Sequence, residues 1–351
     1  MNERTQNRFD ILRLFAALCV LVSHAYPVSG QSAPDPFARW VGLDTLGGVG
    51  VIIFFVLSGY LVTLSWERAD GFWDFAWRRA LRIYPALIVL CALTVLLLGP
   101  AVTEVSVAQY WQSGTTWRYL ETATGIRIQY ALPGVFQNNP LPNALNGSLW
   151  SLPYEIKCYT ALVLLSVFKG SLKLRIGVTT ACLFALLLQH PGHPPGNPFT
   201  EWMGFDYYQL KLGLPFAIGA FFAAGAKTLK PKFLQIFLIF ALMYFMPDGT
   251  PFRTFLFLTG TSILALKLAL DGSWIPSIPA HFGDWSYGVY LYGFPVQQLL
   301  AYSEWQQHSF PLYLAGSIFF TLLLAAASWF AVEKPALHFK NHWSSRRQQP
   351  L

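Results

Sequence analysis

The chain has 351 residues, 54% of them hydrophobic and only 12% charged, and its mean hydropathy is +0.42. Soluble globular domains carry about 25% charged residues, so this composition excludes a water-soluble enzyme and points to an all-α, polytopic membrane protein. The formal net charge of +7 could suggest a nucleic-acid partner, but the basic residues alternate with apolar stretches as a topology signal does, and no nucleic-acid partner is expected.

Crossing the hydrocarbon core takes about 20 apolar residues. About ten transmembrane helices are predicted, near 9–27, 47–65, 81–99, 149–168, 173–190, 209–226, 232–246, 252–270, 286–303 and 312–332, the seventh being the shortest. Seventeen of the 24 Lys and Arg fall at the two termini or beside the loops after even-numbered stretches, from Arg4 and Arg8 to Arg346 and Arg347. Arg39, Arg118, Arg127 and Arg253 fall on the other side, while Arg13, Lys157 and Lys211 lie within stretches. This asymmetry predicts cytoplasmic N- and C-termini. The sequence reads as a single membrane domain over 1–340 with a short cytoplasmic tail at 341–351. Arg13 interrupts the first apolar run and more runs follow, so the N-terminus is expected to be a retained span, not a cleaved signal. Cys19, Cys91, Cys158 and Cys182 fall in apolar runs without a C-x-x-C pair; neither disulfides nor a metal are expected.

The first stretch, RFDILRLFAALCVLVSHAY, carries Arg13 and His24 eleven positions apart. On a helix that spacing places them about 20° apart around the axis and roughly 16 Å apart along it, on a stripe shared with Asp10, Ala17 and Val20. Either residue alone is explained by snorkelling or an interfacial position. Together they favour a face turned toward the protein interior. The second stretch holds GGVGVIIFFVLSGYLV, whose glycines and Ser58-Gly59 permit close backbone approach. Next comes GFWDFAWRRALRIYP, predicted as an interfacial amphipathic helix that breaks at Pro85. Its Arg78, Arg79 and Arg82 either anchor the chain on the positive side or hold an anion such as the phosphates of a nucleotide-like cofactor.

Residues 100–148 form a predicted external loop rich in Trp, Tyr, Asn and Pro, and 190–208 form another. Trp111, Trp117, Tyr119 and Tyr130 of the first are candidates for stacking on sugar faces or for interfacial anchoring. The fourth stretch opens with NGSLWSLPYEIKCY. Its Glu155 is predicted at a depth similar to His24, where it could orient the imidazole or join a structural network with Lys157 or a tyrosine. Trp150 and Tyr154 in the same segment are, with Trp117, the candidate acceptor-binding residues.

Taken in order, Arg13 with ten residues before His24, GGVGVIIFFVLSGYL at 47–61, WRRALRIYP at 77–85, SLWSLPYE at 148–155, SYGVYLYGFP at 286–295 and VEKP at 332–335 resemble acyltransferase family 3, integral-membrane O-acyltransferases of extracytoplasmic glycans and some small molecules. The family often has an acid where this chain has Ile52 and a histidine where it has Gly293. The resemblance implies acyl-CoA, by default acetyl-CoA, as the co-substrate at the cytoplasmic side of a bacterial inner membrane, with no metal. It implies Arg13 and His24 as the essential pair, with Arg78, Arg79 and Arg82 serving the acyl donor. Ser58 joins these as a donor-side candidate and Glu155 joins the catalytic pair. Expected partners are a glycan or glycolipid acceptor, acyl-CoA and membrane lipid. Acyl transfer to a hydroxyl needs a base active near neutral pH, which suits histidine; His24 would serve as that base or as a transient acyl carrier. The rival reading is a polytopic transporter of a small anionic or lipid-linked solute, but paired repeats with broken helices are not evident.

Overall fold

The computed structural model describes residues 3–168, 171–189, 206–225, 232–272, 275 and 282–339. The predicted loop at 190–205 and the tail at 341–351 lie outside them. Among the described residues the regular elements are helical, apart from an isolated bridge between Thr103 and Val135. The longer helices are α1 (Glu3–Val28), α2 (Leu46–Glu67), α3 (Phe72–Val102), α4 (Leu152–Val167), α5 (Leu172–Gln189), α6 (Tyr207–Ala223), α7 (Phe233–Phe245), α8 (Pro251–Asp271), α9 (Ser286–Tyr302) and α10 (Phe310–Phe339).

Five of these are long and apolar enough to cross a membrane: α1 from Asn7, α2, α3, α8 and α10. The remaining predicted stretches fold as helices of 16, 18, 17, 13 and 17 residues. Among the described residues five helices are therefore candidate crossings by length and apolarity, and the count of ten is not established. A second expectation is corrected outright. α3 does not break at Pro85 but runs on through it to Val102. Proline is tolerated inside membrane helices that pack against neighbours, and α9 reaches α3 here, the Tyr287 hydroxyl donating to the Ile83 carbonyl at 2.9 Å. α3 and α10 each contain a π-helical turn, at Thr94–Leu98 and Trp329–Glu333.

The helices sort into two compact units, each built from three separate segments. The first comprises Met1–Ala16, Pro36–Ala69 and Tyr154–Ala280. Its core joins Phe9 and Leu12 of α1 to Ile52, Val56 and Leu57 of α2, Leu210 and Leu214 of α6, and Leu258 and Leu266 of α8. α2 and α6 meet at backbone distance. A Cβ on Gly59 would overlap the Phe216 carbonyl, and one on Gly219 would overlap the carbonyl of Val56. Small residues permit this approach where hydrocarbon solvent gives helices little hydrophobic reason to associate. Thr45 caps α2, accepting from Gly48 N at 3.0 Å. Beside it Asp44 pairs with Lys211 of α6 at 2.7 Å. Arg8 donates to the Leu270 carbonyl at 2.9 Å in the last turn of α8, where a cation complements the helix dipole.

The second unit comprises Ala17–Asp35, Asp70–Pro153 and His281–Leu351. α9 and α10 pack closely where Gly288 faces Ala325. The segment before α4 is tied to α9 by buried amides. Gln298 Nε2 donates to the carbonyls of Leu141 (2.9 Å) and Ala144 (2.6 Å), and its Oε1 accepts from Asn139 Nδ2 at 2.6 Å. Asn146 Nδ2 donates to the Leu291 carbonyl at 2.9 Å. Buried amides are costly unless bonded in this way.

Gly219→Leu should push α2 and α6 apart and lower stability by at least about 1–3 kcal/mol, the usual range for overpacking. Gly213→Ala on the same helix should be nearly neutral, because a Cβ there meets only the Leu183 methyl groups at 3.7 and 3.8 Å. Thermal unfolding of the two detergent-purified variants distinguishes them.

Candidate active site

His24 lies near the end of α1 in the second unit, half-buried. Its Nδ1 is 3.3 Å from Ser148 Oγ, and its ring meets Phe294 edge-on with centroids 5.3 Å apart. The sequence NGSLWS explains how Ser148 comes to be there. Asn146 caps the 3₁₀ turn Gly147–Ser151, its Oδ1 accepting from Ser148 N at 3.2 Å while its amide is fixed on α9. Tyr290 of α9 donates its hydroxyl to the Ser148 carbonyl and lies 2.9 Å from Ser151 Oγ. Gly147 faces the Phe294 ring, where a side chain would collide. The imidazole is thus held through one nitrogen by a rigid turn. With a proton on Nδ1 the ring donates to Ser148, and Nε2 keeps its lone pair. One residue earlier, Ser23 donates to the buried Asp35 at 2.7 Å.

The arginine-bearing end of α3 belongs to the same unit. Phe72, Trp73 and Trp77 are exposed there, as expected of an interfacial aromatic belt. Arg78 Nε and Nη2 grip Asp74 at 2.9 and 2.8 Å, one turn back on the same helix. Arg82 Nη2 bonds Asp284 at 2.5 Å, and its Nη1 lies 3.6 Å from Glu333 in the π turn of α10. Its guanidinium also lies 5.8 Å from the centre of the Tyr287 ring. Ser286 Oγ donates to Asp284, and Ser328 donates to Glu333 at 3.0 Å. Arg78 and Arg82 thus stand with Asp74, Asp284 and Glu333. An anion arriving here meets two arginines that already hold carboxylates.

In the first unit the structure brings Ser58 of α2 to Glu155 and Tyr159 of α4. Ser58 Oγ donates to Glu155 Oε1 at 3.0 Å and lies 3.1 Å from the Tyr159 hydroxyl, which itself donates to Glu155. Of the two readings of Glu155, the geometry displays the network with a tyrosine. The first turn of α4 also puts the carboxylate at the positive end of the helix dipole. Arg13 is half-buried on the first-unit half of α1. Tyr154 donates to Asp206 at 2.8 Å.

Trp150 is half-buried on the turn that carries Ser148. Trp117 is half-exposed, its ring 5.7 Å from that of Trp111 and its indole donating to the Trp111 carbonyl at 3.0 Å. Tyr130 is exposed, but Tyr119 and Tyr110 are fully buried. Tyr119 therefore cannot stack on a sugar. Burial holds its hydroxyl well above the ordinary tyrosine range and pushes that of Tyr110 up to about 12; Tyr110 donates to the Val95 carbonyl in the π turn of α3 at 2.9 Å. Ser148, Tyr290, Asp284 and Glu333 had no individual role in the sequence reading. Their signal was a polar residue inside an apolar run or just after a capping Asn. Among the described residues no three His, Cys, Asp or Glu converge as a metal site.

The profile of the family described as "Acyltransferase domain" matches residues 6–330. An O-acetyl transferase of Shigella phage Sf6 is 33% identical over 338 residues, covering 93% of this chain and 95% of the relative. Nodulation protein 10 of Rhizobium leguminosarum bv. viciae is 28% identical, covering 97% and 96%. YrhL of Bacillus subtilis (strain 168), provisionally named a peptidoglycan O-acetyltransferase, is 25% identical over 95% of this chain and 56% of its own length. No solved structure matches significantly.

Asp284→Asn should cost about 3–5 kcal/mol, because it removes one partner of a largely buried ion pair and leaves the other charge behind. The triple variant Arg82→Met, Asp284→Leu and Glu333→Gln, which removes the charges of Arg82, Asp284 and Glu333 together, should recover most of that loss. Thermal unfolding of both proteins measures whether the network holds the fold.

Proposed function

The chain belongs to acyltransferase family 3, and from that premise we propose that this integral-membrane acyltransferase moves an acyl group, acetyl by default, from cytoplasmic acyl-CoA to a hydroxyl of an extracytoplasmic glycan or glycolipid. The observation that carries the mechanism is the bond between His24 Nδ1 and Ser148 Oγ. It leaves Nε2 as the nitrogen that reacts. As a base, Nε2 takes the proton of the acceptor hydroxyl while the oxygen attacks the thioester carbonyl. The tetrahedral oxyanion then collapses, the C–S bond breaks, and the imidazolium returns its proton to the departing CoA thiolate. As a carrier, Nε2 attacks the thioester carbonyl and the C–S bond breaks to release CoA thiolate; the acceptor oxygen then attacks the acyl-imidazole, the C–N bond breaks, and the hydroxyl proton goes to the thiolate. Both routes need the same ring orientation, which the Asn146-capped turn and Phe294 supply.

Arg13 is assigned to the donor or to the charge that develops on the carbonyl oxygen, where a fixed cation acts most strongly. Arg78, Arg79 and Arg82 are assigned to the pyrophosphate end of CoA. Arg78 and Arg82 already hold Asp74 and Asp284, so a phosphate that joins them shares these guanidinium groups with the carboxylates. Glu155, bonded to Ser58 and Tyr159 within the first unit, is assigned a supporting role in transfer. The peptidoglycan assignment in the name of YrhL supports a glycan acceptor, and Trp150 beside Ser148 is the aromatic residue assigned to the sugar. Termini in the cytoplasm of a bacterial inner membrane complete the reading, supported by the basic residues of the loops.

His24→Ala should lower acyl transfer by about 10²–10⁴-fold, the usual worth of a positioned base, with membrane insertion intact. Transfer at the wild-type rate in correctly inserted protein would exclude both roles. Ser148→Ala should lower kcat about fivefold to tenfold, the worth of about one hydrogen bond, with little change in KM for acyl-CoA. Ser148→Thr should restore most of the rate. Arg79→Ala should raise the KM for acyl-CoA more than the KM for the acceptor, and the reverse result would move the arginines off the donor side.

A further inference from the structure

A cleft of about 170 Å³ lies wholly within the first unit, between α4, α5 and α6. Cys158, Leu162, Leu165, Ile176, Leu183 and Phe216 line it, and its wall is almost entirely apolar. Its size is that of the apolar cavities, about 150 Å³, that stay dry and take up a small hydrocarbon. The helices around it also expose Leu164, Val167, Leu174 and Val178, so the cleft belongs to a surface that faces hydrocarbon and not water.

Its polar feature is a cation. Lys157 joins the lining together with Gln209. Its ammonium donates to Gln209 Oε1 at 3.3 Å and lies 5.0 Å from the centre of the Tyr154 ring. Both partners are neutral. The nearby acid Asp206 is committed to capping α6 through Gln209 N at 2.7 Å and to accepting from Tyr154 at 2.8 Å. By contrast Lys211 holds Asp44 and Arg82 holds Asp284. A lysine beside an apolar cleft, with uncharged neighbours, has the chemistry of a headgroup site: basic residues between membrane helices bind anionic lipid headgroups.

We propose that this cleft is a binding site for one chain of an anionic phospholipid, with the lipid phosphate on the Lys157 ammonium and the hydrocarbon along Leu162, Leu165 and Phe216. None of the residues that line the cleft is assigned to acyl transfer, and its occupancy is measured without acyl donor, so failure of the catalytic reading leaves this result standing.

The test is native mass spectrometry of the purified full chain titrated with phosphatidylglycerol or phosphatidylcholine. Wild type should retain one phosphatidylglycerol in preference to phosphatidylcholine. Lys157→Gln should reduce that preference about fivefold, the worth of one basic residue at an anionic surface. Gly213→Leu grows into the cleft past Leu183 and should abolish retention. Ala161→Phe closes the cleft from α4, a different wall, and should do the same, so the test does not depend on one variant folding. Retention in both filled variants equal to wild type, or an unchanged preference in Lys157→Gln, would overturn the proposal.

Discussion

Hydrocarbon gives a polar group nothing to bond to, and that constraint organises this molecule. Each buried polar side chain must find its partner within the chain or cost several kcal/mol. The observed pairs follow from it: Lys211 with Asp44, Arg82 with Asp284 and Glu333, Gln298 with Asn139 and two loop carbonyls, and Ser58 with Glu155 and Tyr159. These bonds fix where helices meet more narrowly than apolar contact does, because bond lengths and angles tolerate far less drift than packed methyl groups.

The same constraint explains the surroundings of His24. An imidazole on a mostly apolar helix needs one nitrogen satisfied if the other is to remain available. Ser148 satisfies it, and Ser148 is placed by Asn146 and Tyr290 from both sides of its turn. At the other polar cluster of the second unit, the arginines of α3 are balanced by acids from three places in the chain, one of them in a π turn. Such turns interrupt regular hydrogen bonding and recur at functional positions.

Local features were legible in the sequence and distant pairings were not. The apolar stretches, the Arg13–His24 stripe and the close approach permitted by the span-two glycines depend on neighbours within a few turns, and all of them could be read. The Asp74–Arg78 pair also lies at i, i+4 spacing and was there to be seen. The Ser148 partner of His24 is 124 positions away, and Asp284 is 202 from Arg82; no periodicity encodes such meetings. The break predicted at Pro85 was wrong because a helix-breaking preference measured in water is weakened in a membrane helix packed against neighbours, as α3 is against Tyr287 of α9. Tyr119 was misjudged because a Tyr in a Trp- and Thr-rich loop reads as surface, whereas this one folds inward.

The separation of His24 from Ser148 also bears on biosynthesis. α1 emerges from the ribosome first, carrying Asp10, Arg13 and His24 into the bilayer. More than a hundred further residues must be made before the turn at Gly147–Ser151 exists. A chain truncated ahead of that turn holds its imidazole in no defined orientation. The orientation of that imidazole is therefore set only once the middle third of the chain has been made.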